Sequence, residues 1–495
     1  MFYSILISHN KEDVILMQKS NGFWMILMVL LLLVGCGPTQ PPVGTSTSDT
    51  DDEKPTTLTV AAYGFYSDDV GLDTINEFFR LKHPKCLVEI IYYPEPTDAQ
   101  GWISGEYREF NDDQLIAPYR ERFATEIMAG KGADVVVLAP GLTANPYVAA
   151  EQGYFEDLSP YIDGNPDFNK DEYFMPVLDA GIIGGKRYYL PVGFTYMPIR
   201  MTTETAKKYG LSPESQLTLQ QWTDLAAKVQ KDDGKSLFYS WAPTLKQYLR
   251  YIMTSGCPMP FDMEKKEANF DTPQFREALD FVKELALNQG NFMDMPFVEG
   301  EENTMIWGLG CALTTTEIAT TKLLFTYPLD TVLMNFPVME EGQGDLAFVR
   351  KMLAVNANSE KKELAVDFCL TALGHTVQYE FMAKPAGHNG GPSTMLAPRS
   401  VSRKAIEKIL GDLVEGKLSE TATKDAREVP GEWKFSQTLA DQYLGCLGNI
   451  KRAILYNPDL EKMVDEQIQK YFDGEMSQDE LVQLLTKRVD FYLKE

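Results

Sequence analysis

The feature that most restricts the fold of this chain is a predicted strand, Ala133–Leu138, which ends in the unbroken apolar run Val-Val-Val-Leu. A strand with no polar face must be covered on both faces, as happens in parallel sheets flanked by helices. Two further strand-forming runs precede it, Leu58–Tyr63 and Leu87–Tyr93. Helical patterns separate the three runs, so the order of elements predicts an α/β fold built on a parallel sheet.

Helical periodicity supports this order along the whole chain. Between the first two strands, apolar residues repeat at helical spacing and stop before Pro84: Leu72, Ile75, Phe78, Phe79 and Leu81. A second helix is predicted over residues 120–130, and two more over Ser359–Leu373 and Asp459–Phe472. Ser477 and Glu480 have the spacing of a capping box, which predicts the start of a last helix.

The N-terminal leader predicts export and attachment to a membrane. An apolar run over residues 23–34 is too short to span a bilayer but has the length of a secretory signal. It leads into Leu-Val-Gly-Cys36, which resembles the lipobox of bacterial lipoproteins, whose cysteine is lipidated and becomes the first residue. We expect a signal peptide at 17–35, followed by lipidated Cys36 and a flexible tether at 36–57. Residues 1–16 are expected to be an upstream extension, because the acidic pair Glu12 and Asp13 does not suit a signal peptide. The alternative is a cleaved signal peptide in which the cysteine is incidental.

Charge and cysteine content narrow the class of protein. A net charge of −25 at pH 7 argues against nucleic acid as a partner and against adhesion to anionic lipid through overall charge. The length allows two or three domains beyond the leader. Five cysteines follow Cys36 without a Cys-x-x-Cys pair, which predicts small, buried, unpaired thiols: Cys86, Cys257, Cys311, Cys369 and Cys446.

Signatures of catalysis and of metal binding are weak. The chain has no Gly-x-Ser-x-Gly, no P-loop sequence and no His-Glu-x-x-His, so we expect no catalytic residue and no cofactor. Oxygen ligands alternate in one segment as they do in a calcium loop: Asp163, Asn165, Asp167, Asn169 and Asp171. Phe168 and Phe174 stand where such a loop needs glycine and glutamate. The segment is therefore predicted to be a surface loop without a metal ion.

Three segments, taken in order, resemble a known family. Gly184–Pro191 is similar to a turn and strand that lead into the hinge in members of that family. Leu219–Leu225 is similar to the start of one of the family's helices, and Tyr471–Glu480 is similar to part of the family's C-terminal region. The family is that of the bacterial extracellular solute-binding proteins of family 1, the maltose-binding type that serves ABC importers. The resemblance covers Leu58 to Glu495. It implies a two-lobed periplasmic-binding-protein-like fold of type II, each lobe a mainly parallel sheet flanked by helices, with a hinge between the lobes.

The resemblance also implies where each lobe begins and ends. The chain is expected to cross between the lobes near Leu190–Ile199 and Leu333–Val338. Lobe 1 then comprises residues 58–191 and 336–384, and lobe 2 comprises residues 197–335 and 385–495.

Binding residues are expected in loops beyond the strands and near the hinge, because α/β folds bind ligands there. Aromatic rings that suit stacking on a sugar face are Tyr63, Phe65, Tyr66, Phe194, Tyr196, Trp241, Trp307 and Trp433. Polar side chains that suit orienting a solute are Asp68, Thr143, Asn145, Thr316, Glu317, His388 and Asn389. A core position is the alternative for each aromatic residue, and a plain turn is the alternative for the glycine-rich loop that holds His388. Trp222 is assigned to packing.

These features predict a receptor, not an enzyme. It is expected to be a monomer, lipid-anchored at the extracellular face of the bacterial cytoplasmic membrane. It would bind a small solute between its lobes and deliver it to the permease subunits of an ABC transporter. Carbohydrate is the preferred solute class. Peptides and polyamines stay open because the hinge sequence Gly193-Phe-Thr lacks an acid. The rival hypotheses are a secreted glycan-active lipoprotein enzyme and a surface sensor or adhesion lipoprotein with the same fold.

Overall fold

The described part of the chain alternates strands and helices. The computed structural model describes residues 55–63, 71–93, 112–138, 145–166, 168–196, 198–234, 236–240, 247–288, 290–291, 312–314, 331–383, 399–417 and 436–494. The strands are β1 (Thr56–Tyr63), β2 (Cys86–Tyr93), β3 (Val135–Leu138), β4 (Ile182–Ile183), β5 (Lys186–Arg187), β6 (Leu190–Tyr196), β7 (Ile199–Thr202), β8 (Phe238–Ser240), β9 (Phe261–Asp262), β10 (Glu267–Ala268), β11 (Gly290–Asn291), β12 (Ala312–Thr314), β13 (Thr331–Met334), β14 (Asp345–Val355), β15 (Arg399–Ser400) and β16 (Ile450–Leu455). The helices are α1 (Leu72–Lys82), α2 (Asp112–Met128), α3 (Pro146–Glu151), α4 (Ser159–Ile162), α5 (Met175–Asp179), α6 (Thr203–Tyr209), α7 (Leu219–Asp233), α8 (Tyr248–Thr254), α9 (Pro273–Asn288), α10 (Lys362–Leu373), α11 (His375–Ala383), α12 (Arg403–Val414), α13 (Gln437–Gly448), α14 (Pro458–Phe472) and α15 (Gln478–Lys494).

The first sheet has the strand order β15-β6-β14-β3-β1-β2, with β16 also beside β14. β1 lies parallel to β2 and β3, and all four residues of β3 are buried, as its composition predicts. β14 runs antiparallel to both β3 and β6. The α/β class is confirmed, but this sheet is mixed where a mainly parallel one was expected. The reason is the route of the chain, which leaves the sheet through β6 and returns beside it through β14 in the opposite direction.

The second sheet has the strand order β11-β8-β12-β7-β13. It is mixed as well, since β8 lies parallel to β11 and β12 while β7 runs antiparallel to β12 and β13. Each sheet is packed into its own hydrophobic core. We call the first sheet with its core lobe 1, and the second sheet with its core lobe 2. Trp222 is 2% exposed in the core of lobe 2, so its assignment to packing is confirmed.

Within the described residues, three segments carry the chain between the lobes. β6 belongs to the first sheet and β7 to the second, and β13 belongs to the second sheet and β14 to the first. A third crossing runs from β16 in the first sheet to α14 in the second core. β14 serves both cores, because side chains alternate along a strand: Leu346 and Phe348 pack in lobe 2, and Ala347 and Val349 in lobe 1.

The third crossing changes the extent of lobe 2. Residues 399–455 were assigned to lobe 2, yet β15, α12, α13 and β16 contribute side chains such as Ile406 and Tyr443 to the first core. Among the described residues after β16, α14 and α15 pack in the second core. At the other end, β1 begins at Thr56, so its first two residues fall within the predicted tether.

Local chemistry explains the turn that precedes the hinge. Gly184 and Gly185 have φ of 57° and 77°, a pair of left-handed conformations that joins β4 to β5 in a tight hairpin. Arg187, which follows, is fully buried and bonds to Asp163 at 3.0 Å and Asp179 at 2.8 Å. The carboxylate that would begin a calcium loop is therefore an ion-pair partner of a buried arginine.

Other local predictions can be compared in the same way. The capping box of α15 is confirmed, since the Glu480 amide donates to the Ser477 hydroxyl at 3.2 Å and the Ser477 amide to the Glu480 carboxylate at 2.8 Å. Cys86, Cys257 and Cys369 are free and buried, Cys446 is buried as well, and Cys311 lies outside the described residues. Within the described ranges, no helix combines the length and apolarity that a membrane crossing requires.

Candidate functional site

A crevice, partly open to solvent, lies between the two cores. Its lining comes from both lobes and from the crossing segments. From lobe 1 comes Tyr147 of α3. Lobe 2 contributes Leu249, Arg250 and Met253 of α8, Met259, Phe261 and Met263 around β9, and Leu460 and Glu461 of α14. The crossing segments contribute Phe348, Ile454, Leu455, Tyr456 and Asn457. Mostly apolar walls with a few polar groups are typical of small-molecule sites.

Tyr147 is positioned by the start of α3. The Asn145 side chain accepts hydrogen bonds from the Tyr147 amide at 3.0 Å and the Val148 amide at 3.4 Å, and Pro146 fits the first helical turn. Asn145 was predicted to bind solute directly. In the structure its side-chain oxygen caps the helix, which fixes the neighbouring ring at the crevice. Burial raises the pKa of Tyr147 to about 12, so its hydroxyl stays protonated.

The charged group of the crevice is a buried pair, Arg250 and Glu461, whose nitrogen and oxygen lie 3.0 Å apart. The guanidinium also lies 5.5 Å from the Phe348 ring centroid and 5.1 Å from that of Tyr456. Behind it, Asp465 accepts the Leu249 amide at 2.7 Å. Burial, followed by the charge of Glu461, raises the pKa of Asp465 well above its usual range. The opposite charges of Arg250 and Glu461 balance each other, and the rings of Phe348 and Tyr456 lie near the guanidinium.

Polar contacts join the lobes around the crossings. Arg120 of α2 meets Asp459 of α14 at 2.9 Å, and Glu151 of α3 meets Lys266 at 3.0 Å. The Gly184 amide donates to Glu264 at 2.9 Å. These groups are partly or well exposed, and exposed ion pairs contribute roughly 0–1 kcal/mol each. A solute that contacts both lobes can therefore compete with them in setting the angle between the lobes.

Two predicted contact residues lie in the core and not in the crevice. Phe194 and Tyr196 are both 0% exposed, and the Phe194 ring packs edge-on against Phe174 at 5.7 Å between centroids. β6 lies between β14 and β15, and every one of its residues is buried. A side chain without exposed surface cannot contact a solute in this structure, so we remove both residues from the candidate site.

The remaining predicted residues are placed only by their position in the chain. Tyr63 is the last residue of β1. The residues that lie outside the described ranges are Cys36, Phe65, Tyr66, Asp68, Thr143, Trp241, Trp307, Thr316, Glu317, His388, Asn389 and Trp433. Two of the predicted loops are nevertheless continuous with crevice elements. Residues 139–144 lead into Asn145 and α3, and residues 241–246 lead towards α8.

Sequence reasoning missed three central members of the crevice. Tyr147 lies two residues after a candidate that was chosen, at a helix start. Arg250 is a lone cation within the apolar run Tyr-Leu-Arg-Tyr-Ile-Met of α8, and an isolated charge on an apolar helix is a signal of a buried partner. Tyr456 precedes Asn457-Pro458, an N-cap signal that marks a helix start and hence a loop at the sheet edge.

Two α/β lobes joined by crossing strands, with a crevice between them, define the class of two-lobed solute-binding proteins. A sequence profile described as bacterial extracellular solute-binding protein matches residues 113–387. The chain belongs to this family, as its motifs predict, and the family is one of binding proteins, not enzymes. No curated protein sequence matches the chain.

Solved structures show the same fold at low sequence identity. A family 1 extracellular solute-binding protein from Alicyclobacillus acidocaldarius is 13% identical with a TM-score of 0.56, covering 90% of this chain and all of its own. The sugar-binding protein MalE from Xanthomonas citri is 16% identical with a TM-score of 0.59, covering 89% and 98%. The cyclic α-maltosyl-1,6-maltose binding protein from Arthrobacter globiformis is 15% identical with a TM-score of 0.55, covering 89% and 99%. These likenesses support the type II fold.

Proposed function

We propose that this protein is a lipid-anchored extracellular receptor that binds a carbohydrate in the crevice and delivers it to the permease of an ABC importer. The observation that carries the proposal is the lining of the crevice. Ring-bearing side chains come from both sides, Tyr147 from lobe 1 and Phe261 from lobe 2. Sugars have C–H faces that pack on such rings, and hydroxyls that need a few polar groups such as Asn457 and Glu461.

The comparisons support carbohydrate as the solute class by analogy. The Xanthomonas citri neighbour is described as sugar-binding, and the Arthrobacter globiformis neighbour is described as binding a cyclic maltosyl-maltose. Because both are fold-level likenesses, they indicate which compounds to test first. Anchoring at Cys36 and delivery to an importer rest on the lipobox-like sequence and on the family.

We further propose that the predicted loops complete the site. Tyr66 follows β1, Thr143 follows β3, and Trp241 follows β8 on the way to α8. The ends of β1 and β3 lie at the carboxyl edge of a parallel sheet, where ligands bind. The proposal also keeps the other ring and polar side chains that the sequence places in loops beyond strands or near the hinge. They are Tyr63, Phe65, Asp68, Trp307, Thr316, Glu317, His388, Asn389 and Trp433.

A thermal-shift screen of the purified Cys36→Ser protein tests the proposal. The panel contains monosaccharides, linear and cyclic oligosaccharides, peptides and polyamines. A solute at a hundred times its dissociation constant stabilises the fold by about 2.7 kcal/mol, which gives a clear rise in melting temperature. Product analysis after long incubation with each sugar that shifts the melting curve tests the rival enzyme hypothesis. Stabilisation by peptides or polyamines alone would contradict the carbohydrate assignment.

A further inference from the structure

The end of lobe 1 opposite the carboxyl edge of its parallel strands has unusual surface chemistry. β1, β2 and β3 are parallel, so all three begin at this end, and α1 and α2 finish here because each leads into a strand start. Large apolar side chains are exposed at this end on three successive elements. Leu81 of α1 is 76% exposed, Leu87 of β2 48% and Met128 of α2 66%. They account for three of the seven large apolar side chains that are most exposed in the described part of the chain.

Basic residues surround these apolar side chains. Residues 78–88 contain Arg80, Lys82 and Lys85 and no acid, in a chain with 71 acidic and 46 basic residues. Lys131 lies between α2 and β3 at the same end. All four cations are exposed, and none of them has a carboxylate partner among the residues that the structure describes. Asp134, at the same end, is 6% exposed and paired with Lys361 at 3.0 Å, so it does not offset them at the surface.

We propose that this surface rests on an anionic membrane. We call it the strand-start face and define it by Leu81, Leu87, Met128, Arg80, Lys82, Lys85 and Lys131. Apolar side chains that enter the headgroup region, with lysines and arginines around them, are the combination that binds interfacial anionic lipid. The overall charge of −25 would repel such a membrane, so the local excess of cations has to act at this end alone.

The start of the chain supports the same occupant. The described chain begins at Pro55, directly before β1, and therefore enters lobe 1 at the strand-start face. Eighteen residues lie between it and Cys36, a distance of about 65 Å at most, since an extended residue spans up to about 3.5 Å. This part of the argument rests on the proposed lipid anchor. With the strand-start face on the bilayer, as we propose for the receptor before it docks on the permease, the carboxyl edge of the strands, and with it Tyr147 of the crevice, faces away from the membrane.

Vesicle binding tests the proposal with the full mature chain carrying Cys36→Ser, so that an attached lipid cannot dominate. The probes are vesicles of equal phosphatidylglycerol and phosphatidylcholine, and vesicles of phosphatidylcholine alone, at low ionic strength. One variant carries Lys82→Glu, Lys85→Glu and Lys131→Glu. Its matched control carries Lys207→Glu, Lys231→Glu and Lys487→Glu, three exposed lysines of lobe 2 with the same change in charge.

The strand-start triple should lower partitioning to anionic vesicles by about 100-fold, since three lysines near such a surface account for that factor. The control triple should change it by less than about threefold. A second variant, Leu81→Ser with Met128→Ser, should weaken binding about tenfold without lowering the melting temperature, because both side chains are exposed. Equal losses in the two triples, or no binding of the parent to anionic vesicles, would overturn the proposal. The solute-induced thermal shift, measured on the same proteins, reports separately on the proposed function.

Discussion

At the scale of single residues, Asp345 shows how far the fold can change ordinary chemistry. It begins β14, where the chain returns to lobe 1, and is 1% exposed. Burial raises its pKa to about 8, against the opposing effects of the Asn449 side chain, the Phe336 backbone and the Arg452 charge. Its carboxyl group is thus largely protonated at neutral pH. Groups with such a shift make the free energy of unfolding depend on pH.

We predict that Asp345→Asn removes part of this pH dependence. The folded-state pKa lies above the unfolded value of about 3.9, so the folded chain binds more protons between those pH values and this group lowers stability as pH rises from about 4 to 8. Asparagine resembles the neutral carboxyl group and does not titrate. The melting temperature of the variant, relative to the parent, should therefore rise from pH 5 to pH 9. The exposed Asp232→Asn serves as control. If the difference in melting temperature between variant and parent does not change with pH for either variant, the assignment of Asp345 is wrong.

Two neighbouring phenylalanines separate binding from folding. Phe261 lines the crevice and is half-buried, whereas Phe270, 6.4 Å away between ring centroids, is 0% exposed. We predict that Phe261→Ala weakens solute binding by roughly 5- to 150-fold, the range for about 1–3 kcal/mol of ring stacking, and changes the melting temperature little. Phe270→Ala should instead lower the free energy of unfolding by about 3–5 kcal/mol and keep its affinity.

Calorimetric titration measures the solute affinity of both variants, and urea unfolding measures their free energies of unfolding. Tyr147→Ala extends the test to lobe 1, and Tyr66→Ala and Trp241→Ala extend it to the proposed loops. If Phe261→Ala binds the solute as tightly as the parent, this ring is not part of the site.

At the scale of elements, the helix caps provide the most local prediction. Ser477 and Glu480 exchange hydrogen bonds at the start of α15, a helix whose Leu481, Leu485 and Val489 lie in the core of lobe 2. Ser477→Ala removes the side-chain acceptor and should cost about 1 kcal/mol of unfolding free energy in urea titrations. Glu480→Gln keeps an acceptor for the Ser477 amide and should cost less. A larger loss in Glu480→Gln than in Ser477→Ala would show that the glutamate acts through its charge.

Elements defined by local pattern could be predicted from the sequence. The bounds of five elements were predicted within a few residues, because the spacing of apolar residues indicates which face is buried. These elements are β1, β2, β3, α10 and α14. Leu81 is the informative exception. It continues the helical pattern of α1 but is 76% exposed. A period of 3.6 residues identifies a face, but only the fold determines how much of that face is covered.

Features that depend on which parts of the chain meet could not be predicted. Arg250 and Glu461 are 211 residues apart, so nothing local indicates their pairing. Nothing in the sequence of β16, Ile-Lys-Arg-Ala-Ile-Leu, indicates that this strand pairs with β14 of lobe 1. Phe194 and Tyr196 have the composition expected of a cleft, and only the position of β6 between two strands shows that they are core residues.

At the scale of the whole molecule, the two lobes share little beyond the crossings. Each has its own sheet and core, and the contacts between them include exposed ion pairs such as Glu151 with Lys266. Long continuous strands resist bending, so we expect relative motion of the lobes at two short links, between β13 and β14 and at Tyr456–Asn457. Because β14 contributes alternate side chains to both cores, it couples the two lobes, and a small rotation about these links would change the shape of the crevice.

Attachment of the whole molecule to its membrane gives the last prediction. Two different forces are expected to act, a lipid at Cys36 and the strand-start face. Lipid insertion is insensitive to salt, whereas contact between lysines and anionic headgroups is screened at high ionic strength. The unmodified protein should therefore pellet with membranes at both low and high salt. Cys36→Ser should pellet in part at low salt and be released by a high-salt wash, and Ser46→Ala, ten residues further along the predicted tether, should behave as the parent. Fractionation and immunoblotting measure this, and a Cys36→Ser protein that stays with the membrane through the high-salt wash would show that something other than a lipid at this cysteine holds it there.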